Sequence, residues 1–187
     1  MLSGQTIHFQ NFTRGCLMIN WDLIIQELQN KKGSEITTNP ERWNLDTPGY
    51  NEIYDLWKKA NFNAAAIKWI NYYPGTDFSQ EIVDQVAEKV GLKKVHRAWI
   101  SRIDPGYMAP WHWDVDDNEQ EYLNSGPIIR YTVVIKEFAN GHILIIKDKY
   151  FYNLYQGKQI PWGSHRDWHS GINAGMESNW LFHILGY

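Results

Sequence analysis

The chain predicts a mainly β protein with N-terminal helices (α+β), a barrel or sandwich with the helices packed on one side. Two observations predict it. Helical spacing is confined largely to the first half, and from residue 95 onward short β-type runs follow one another with turns between them. A length of 187 residues suits a single domain with one sizeable core, 1–94 being a mostly helical flank and 95–187 the barrel that carries any site.

In order along the chain, residues 1–20 read as an irregular or strand-like lead-in, with Ile7, Phe9 and Phe12 partly alternating. Residues 21–31 carry apolar side chains at 21, 23, 24, 25 and 28, the spacing of a short helix. The polar stretch 33–48, broken by Asn39-Pro40 and Thr47-Pro48-Gly49, reads as a long loop and a candidate lid. Ile53, Leu56, Trp57 and Ala60 predict a helix over 50–62, and 64–73 reads as a strand ending at Pro74-Gly75. Asp77 followed by Gln80 has the form of a capping box, opening a helix that buries Ile82, Val83, Val86 and Val90 and stops at Gly91. Runs at 95–103, 128–136, 142–147, 150–155 and 180–186 are the predicted strands. Asn140-Gly141, between two of them, is a hairpin signal.

Composition bounds the function. The chain is 43% hydrophobic and 21% charged, with a net charge of −3 and no run of like charges. Neither nucleic acid nor an acidic membrane surface is therefore expected to be held by bulk electrostatics. The single Cys16 excludes an internal disulfide framework and fits a reducing compartment, so a soluble, cytoplasmic protein is expected. No apolar stretch reaches the length of a membrane span. Aromatic content is high, with 10 Trp and 11 Tyr. Trp111, Trp113, Trp162 and Trp168 stand close to the histidines that matter below, either as barrel core or as pocket lining.

His-x-Asp occurs twice, as His112-Trp113-Asp114 and His165-Arg166-Asp167. In an extended strand, side chains two apart project to one side, so His112 and Asp114 would face together with Trp111 and Trp113 opposite. Two such ligands and one distant histidine make a 2-His-1-carboxylate triad, which suits Fe(II) and leaves coordination positions open. The first triplet follows a strand and the turn Asp104-Pro105-Gly106, with enough chain after it to build most of a barrel. His165, Asp167 and His169 cannot act together on one strand, since their outer Cα atoms would stand about 13 Å apart. His112, Asp114 and His169 are the expected metal ligands, with His165 a rival for the distal place and no catalytic group beyond the ligands. Arg130, in the apolar run around 128–135, would be costly to bury unpaired; it is either a strand-end charge reaching water or a binder of an anionic cofactor. Arg102 could also point inward. His142 and His183 read as structural or outer-face residues, Asp116 and Asp117 as a solvated loop, and Gly171 and Gly175 as turn residues.

The runs ISRIDPGYMAPWHWDVDD, RYTVVI and YQGKQIPWGSHRDWHSGINAG together resemble the aspartyl/asparaginyl β-hydroxylase-like branch of the Fe(II)/2-oxoglutarate-dependent oxygenases. The shared pattern is Pro105-Gly106, His112-Trp113-Asp114, Arg130, Gly157, His169 and Asn173, over roughly 95–187. The resemblance implies a double-stranded β-helix (a jelly-roll or cupin-like barrel) flanked by helices, with Fe(II) at its mouth and 2-oxoglutarate as cofactor. It implies Arg130, Asn173 and Asn179 as cofactor-binding positions. Asn179 departs from the pattern, because it stands where the family often has the Arg that pairs with the cofactor's far carboxylate. Trp111, Trp113, Trp168 and Arg102 are the candidate substrate-pocket residues, and 33–49 and 115–127 the segments expected to meet substrate. The substrate would be a peptide side chain, an amino acid or a small metabolite. Two other readings remain: a cupin-type metal-binding protein that does not use 2-oxoglutarate, and a non-catalytic barrel whose aromatic mouth binds a sugar or peptide.

Overall fold

A computed structural model describes residues 19–37, 49–114 and 127–187. The lead-in with Cys16, most of the candidate lid (38–48) and the segment 115–126 with Asp116 and Asp117 lie outside the described residues.

Among the described residues three α-helices lie in the first half, interleaved with two strands. In α1 (Trp21–Gln29) the Asn20 side chain accepts from the Leu23 N–H at 3.2 Å, an N-cap, and Trp21, Ile25 and Leu28 form the buried face. Helix α2 (Tyr50–Lys59) buries Ile53 and Trp57, and the Trp57 indole donates to the Trp111 carbonyl at 2.8 Å. Helix α3 (Gln80–Val90) buries Val83, Val86 and Ala87 and ends at Gly91 with φ of 78°. The capping box does not form. Ser79 is the N-cap residue, and the Asp77 carboxylate accepts from the Tyr73 N–H at 2.8 Å, closing the preceding turn.

Among the described residues ten strands make two antiparallel sheets. Strands β1 (Ser34–Thr37), β2 (Lys68–Tyr72), β3 (Val95–Ile103), β5 (Ile129–Val134), β8 (Gln159–Pro161) and β10 (Asn179–Gly186) form the larger, in the order β1-β2-β3-β10-β5-β8. Strands β4 (Met108–His112), β6 (His142–Ile146), β7 (Lys149–Phe151) and β9 (His169–Asn173) form the smaller, in the order β4-β9-β6-β7. From β3 to β10 the chain passes back and forth between β3-β10-β5-β8 and β4-β9-β6-β7, which is the double-stranded β-helix. Ser34–Thr37, read as loop because three of its four residues are polar, is an edge strand held on β2 from Ser34↔Asn71 to Thr37↔Lys68.

The Asn140-Gly141 hairpin is not formed. β5 and β6 lie in different sheets, and β6 instead turns through Lys147 and Asp148 to pair with β7. Gly141 has φ of 93°, and a Cβ there would stand 2.4 Å from the Gly175 backbone nitrogen. A dipeptide signal carries the need for positive φ but not the sheet to which the next strand goes. Gly141→Ala is expected to cost roughly 2–3 kcal/mol, read as a lower urea midpoint at unchanged slope.

Strand β10 is buried along its whole length and divides the interior in two. Trp180, Phe182 and Ile184 face the helices, where Trp21 and Phe78 both lie 5.9 Å from the Phe182 ring. Asn179, Leu181 and His183 alternate with them and line a cavity inside the barrel. Burying each large aromatic contributes about 1.5–3 kcal/mol, so the helices fasten the outer face while the inner one is left for chemistry.

Candidate metal centre

His112 is the last residue of β4 and His169 the first of β9, and the two are register partners. Their rings lie 4.2 Å apart. Asp114, just beyond the end of β4, turns its carboxylate to both: His112 Nε2 is 3.7 Å from Oδ1 and His169 Nε2 is 3.7 Å from Oδ2. Ligand atoms of all three lie within 4.8 Å of one another. Each imidazole places Nδ1 against a carbonyl, His112 on Pro110 at 2.6 Å and His169 on Asp167 at 3.1 Å. A carbonyl only accepts, so Nδ1 carries a proton, and in the neutral ring Nε2 then offers its lone pair toward the centre. Two neutral nitrogens and one carboxylate oxygen, oriented by backbone, fit a borderline divalent cation such as Fe(II). His165 is not part of this cluster. Its triplet partner Asp167 accepts from the Ser164 N–H at 2.9 Å and pairs with Lys147 at 2.8 Å, which makes the second His-x-Asp a structural turn.

Arg130 is 1% exposed and lies between the rings of Trp162, 3.6 Å from its centroid, and Trp99, at 5.0 Å. Its Nη1 donates to Asp114 Oδ2. Its Nη2 stands 3.4 Å from His183 Nδ1, which is also 3.0 Å from Thr132 Oγ1. A guanidinium has only donors, so His183 Nδ1 must accept, and the ring is neutral. The Trp162 indole donates to Thr132 Oγ1 at 2.9 Å, leaving the hydroxyl proton for His183.

Charges follow from these contacts. Burial pushes the Asp114 carboxyl up, but Arg130 and the two imidazoles outweigh it and hold the group well below the usual carboxylate range. Burial, and then neighbouring His112, pull His169 well below the usual imidazole value. Burial followed by Arg130 brings His183 down to about 3. At neutral pH the site therefore presents an anionic carboxylate and an uncharged distal imidazole, the forms a metal needs.

A depressed imidazole leaves stability intact above its unfolded value near 6.5 and removes it as pH falls from there toward 3. Between pH 7.5 and 5.5, His183 alone is expected to cost the metal-free protein about 1.4 kcal/mol. Urea unfolding at the two pH values checks this: His183→Asn, which keeps an acceptor for Thr132, should lose that share of the difference.

The cavity has a volume of about 640 Å³. It is lined by the three triad residues, Arg130, Trp113 and Asn179 among others. Trp111 and Trp168 stack on each other at 6.3 Å and are not part of the lining. Arg102, expected in the pocket, points to the outer face instead. Inward positions of β3 are Arg97, Trp99, Ser101 and Ile103, whereas Arg102 donates to the Tyr72 hydroxyl and to Asp104, both at 3.0 Å. Asn173 is not part of the lining either. Its Nδ2 donates to the Ile103 and Glu177 carbonyls at 2.7 Å and its Oδ1 accepts from the Gly175 N–H, so it holds the turn into β10. Asn179, 1% exposed, lines the cavity, and neither amide atom is bonded among the described residues. Gly171 is a mid-strand residue of β9, its missing Cβ leaving room for Ile103. His142 is buried by bonds to the Ala139 N–H and the Glu177 carbonyl.

His183, expected as a structural or outer-face residue, lines the cavity instead, with Thr132 bonded to its ring behind it. The usable signal was the alternation 179, 181, 183, which puts His183 on the face of Asn179.

No family model matches the chain, and no curated protein matches it. Similar solved structures include a viral collagen prolyl hydroxylase from Paramecium bursaria Chlorella virus-1, in complex with 2OG. It is 13% identical, with a TM-score of 0.44, over 84% of this chain and 97% of that one. A Cupin_2 domain of an XRE family transcriptional regulator from Enterobacter cloacae is 12% identical, TM-score 0.35, over 49% and 80%. A sugar phosphate isomerase from a cupin superfamily, from Silicibacter pomeroyi, is 12% identical, TM-score 0.34, over 55% and 56%. The double-stranded β-helix rests on the strand order of the chain itself, and these similarities extend to nothing beyond the fold.

Proposed function

We propose that this protein is a mononuclear Fe(II) oxygenase that uses a 2-oxo acid as co-substrate and hydroxylates a small molecule or a peptide side chain. The observation that carries the reading is the cluster of His112, Asp114 and His169 at the wall of a cavity, beside a buried guanidinium. His112 Nε2, His169 Nε2 and an Asp114 oxygen would hold the ion, and Fe(II) in such a set would supply open positions for a 2-oxo acid and for activating O₂, the oxidant. Arg130 keeps Asp114 ionised, and its Nε, without a hydrogen-bond partner among the described residues, is a donor available to an anionic ligand. Trp69, stacked on His112 at 5.6 Å, and Trp162, edge-on to His169 at 4.6 Å, keep water from the back of both imidazoles.

The test is optical. Protein loaded with Fe(II) without oxygen should develop a visible charge-transfer band when 2-oxo acids are titrated in, and should consume O₂ in their presence. Fe(II) binding with neither response would sink this reading and leave the metal-binding cupin-type protein. That second reading draws on Asn179, which brings no charge to the cavity.

A further inference from the structure

Resting on the 2-oxo-acid reading, we infer that the inner end of the cavity selects an uncharged group which both donates and accepts hydrogen bonds, so that the far end of the co-substrate is carboxamide-like rather than a carboxylate.

Asn179 is the first residue of β10 and lines the cavity. Its side chain is buried, and neither Nδ2 nor Oδ1 finds a hydrogen-bond partner among the described residues. Leaving a buried polar group unmade costs about 1–3 kcal/mol, so two orphaned atoms on one amide call for a partner. The surroundings are neutral. Ile103, Leu144 and Leu181 supply apolar walls, and Ser101, two residues along β3 from Ile103, donates its hydroxyl to Asn71 Oδ1 at 2.8 Å. That leaves the Ser101 oxygen able to accept.

The position suits a co-substrate held at the triad. Gly171 stands two residues along β9 from His169, about 7 Å deeper. A Cβ on it would lie 2.7 Å from Ile103 Cδ1, and Ile103 is the register partner of Asn179. Asn179 is thus one layer of side chains inward of the metal ligands.

Among the described residues, the cations around the cavity are engaged elsewhere. Arg97 and Arg130 both pair with Leu185, six residues from Asn179, so their Cα atoms stand about 20 Å away along β10, and the Arg130 guanidinium is taken up by Asp114 and His183. Arg102, next to Asn179 in register, turns to the outer face and is held by Asp104. Lys32 is exposed at the rim, and Glu35 pairs with Lys68 at 2.8 Å. A carboxylate here would lose its hydration, satisfy only Nδ2 and set a negative oxygen against Oδ1. A primary amide satisfies both atoms with no net charge to desolvate.

Two inert analogues separate the possibilities: N-oxalylglycine and N-oxalylglycinamide share the oxo-acid chelate and differ only in the far group. Calorimetric titration of each into Mn(II)-loaded protein should give at least about tenfold tighter binding of the carboxamide. In Asn179→Leu the two should bind within about threefold of each other. Should that variant fail to fold, the comparison in the unaltered protein decides alone. Equal or tighter binding of N-oxalylglycine overturns the inference while leaving the 2-oxo-acid reading in place. If Mn(II) binds and neither analogue does, the inference and that reading both fall.

Discussion

Replacing His169 with alanine is expected to lower the affinity for Mn(II) or Fe(II) by more than about a hundredfold. Groups that merely orient a metal ligand are worth 10–100-fold in affinity, so removal of a ligand sets that range as a floor. His169 has the properties that make the loss specific. Its Nε2 faces the centre while Nδ1 is held by the Asp167 carbonyl, and burial keeps the ring uncharged, so no proton has to leave when a metal arrives. His142→Ala is the matched control. It removes an equally buried imidazole, but one bonded to the Ala139 N–H and the Glu177 carbonyl. It should cost stability and leave metal affinity unchanged. Calorimetric titration of both variants checks this, and equal affinities in the two would remove the metal from the account of the site.

The grouping of His112, Asp114 and His169 was legible in the spacing of these residues along the chain. His112 and Asp114 lie two apart, and a third ligand had to come from a later strand. What could not be read was the register. His112 meets His169 because β4 and β9 are neighbours in the smaller sheet, and that adjacency arises from the back-and-forth path of eight strands. The same limit explains Asn140-Gly141, where a valid turn signal led into the wrong sheet. Asp114 illustrates a subtler limit. The strand stops at His112, so Asp114 reaches the centre from beyond the ladder, and Trp113, expected on the far side, lines the cavity instead. Asn179 was legible as a departure from a pattern. Its consequence required the burial and the unpaired amide, which no spacing rule contains.

Arg130→Met is expected to destabilise the metal-free protein by about 3–5 kcal/mol, and to do so mainly through Asp114. The methionine would fill part of the slot between Trp99 and Trp162, so lost packing is the smaller share. The larger share comes from a carboxylate left without its cation in surroundings that already oppose its ionisation. Two results follow. First, Asp114 contributes stability above its unfolded value near 4 that is lost as pH falls through its depressed folded value. Without Arg130 that folded value rises, so the contribution shrinks at neutral pH. Second, removing the charge should relieve the defect, making Arg130→Met with Asp114→Asn more stable than Arg130→Met alone, a coupling of opposite sign to two independent losses. A divalent cation supplies the same missing charge. Mn(II) should therefore raise the thermal midpoint of Arg130→Met by more than it raises that of the unaltered protein. If the ion stabilises both equally, Asp114 is not where the metal sits, and the buried guanidinium is holding a purely structural carboxylate.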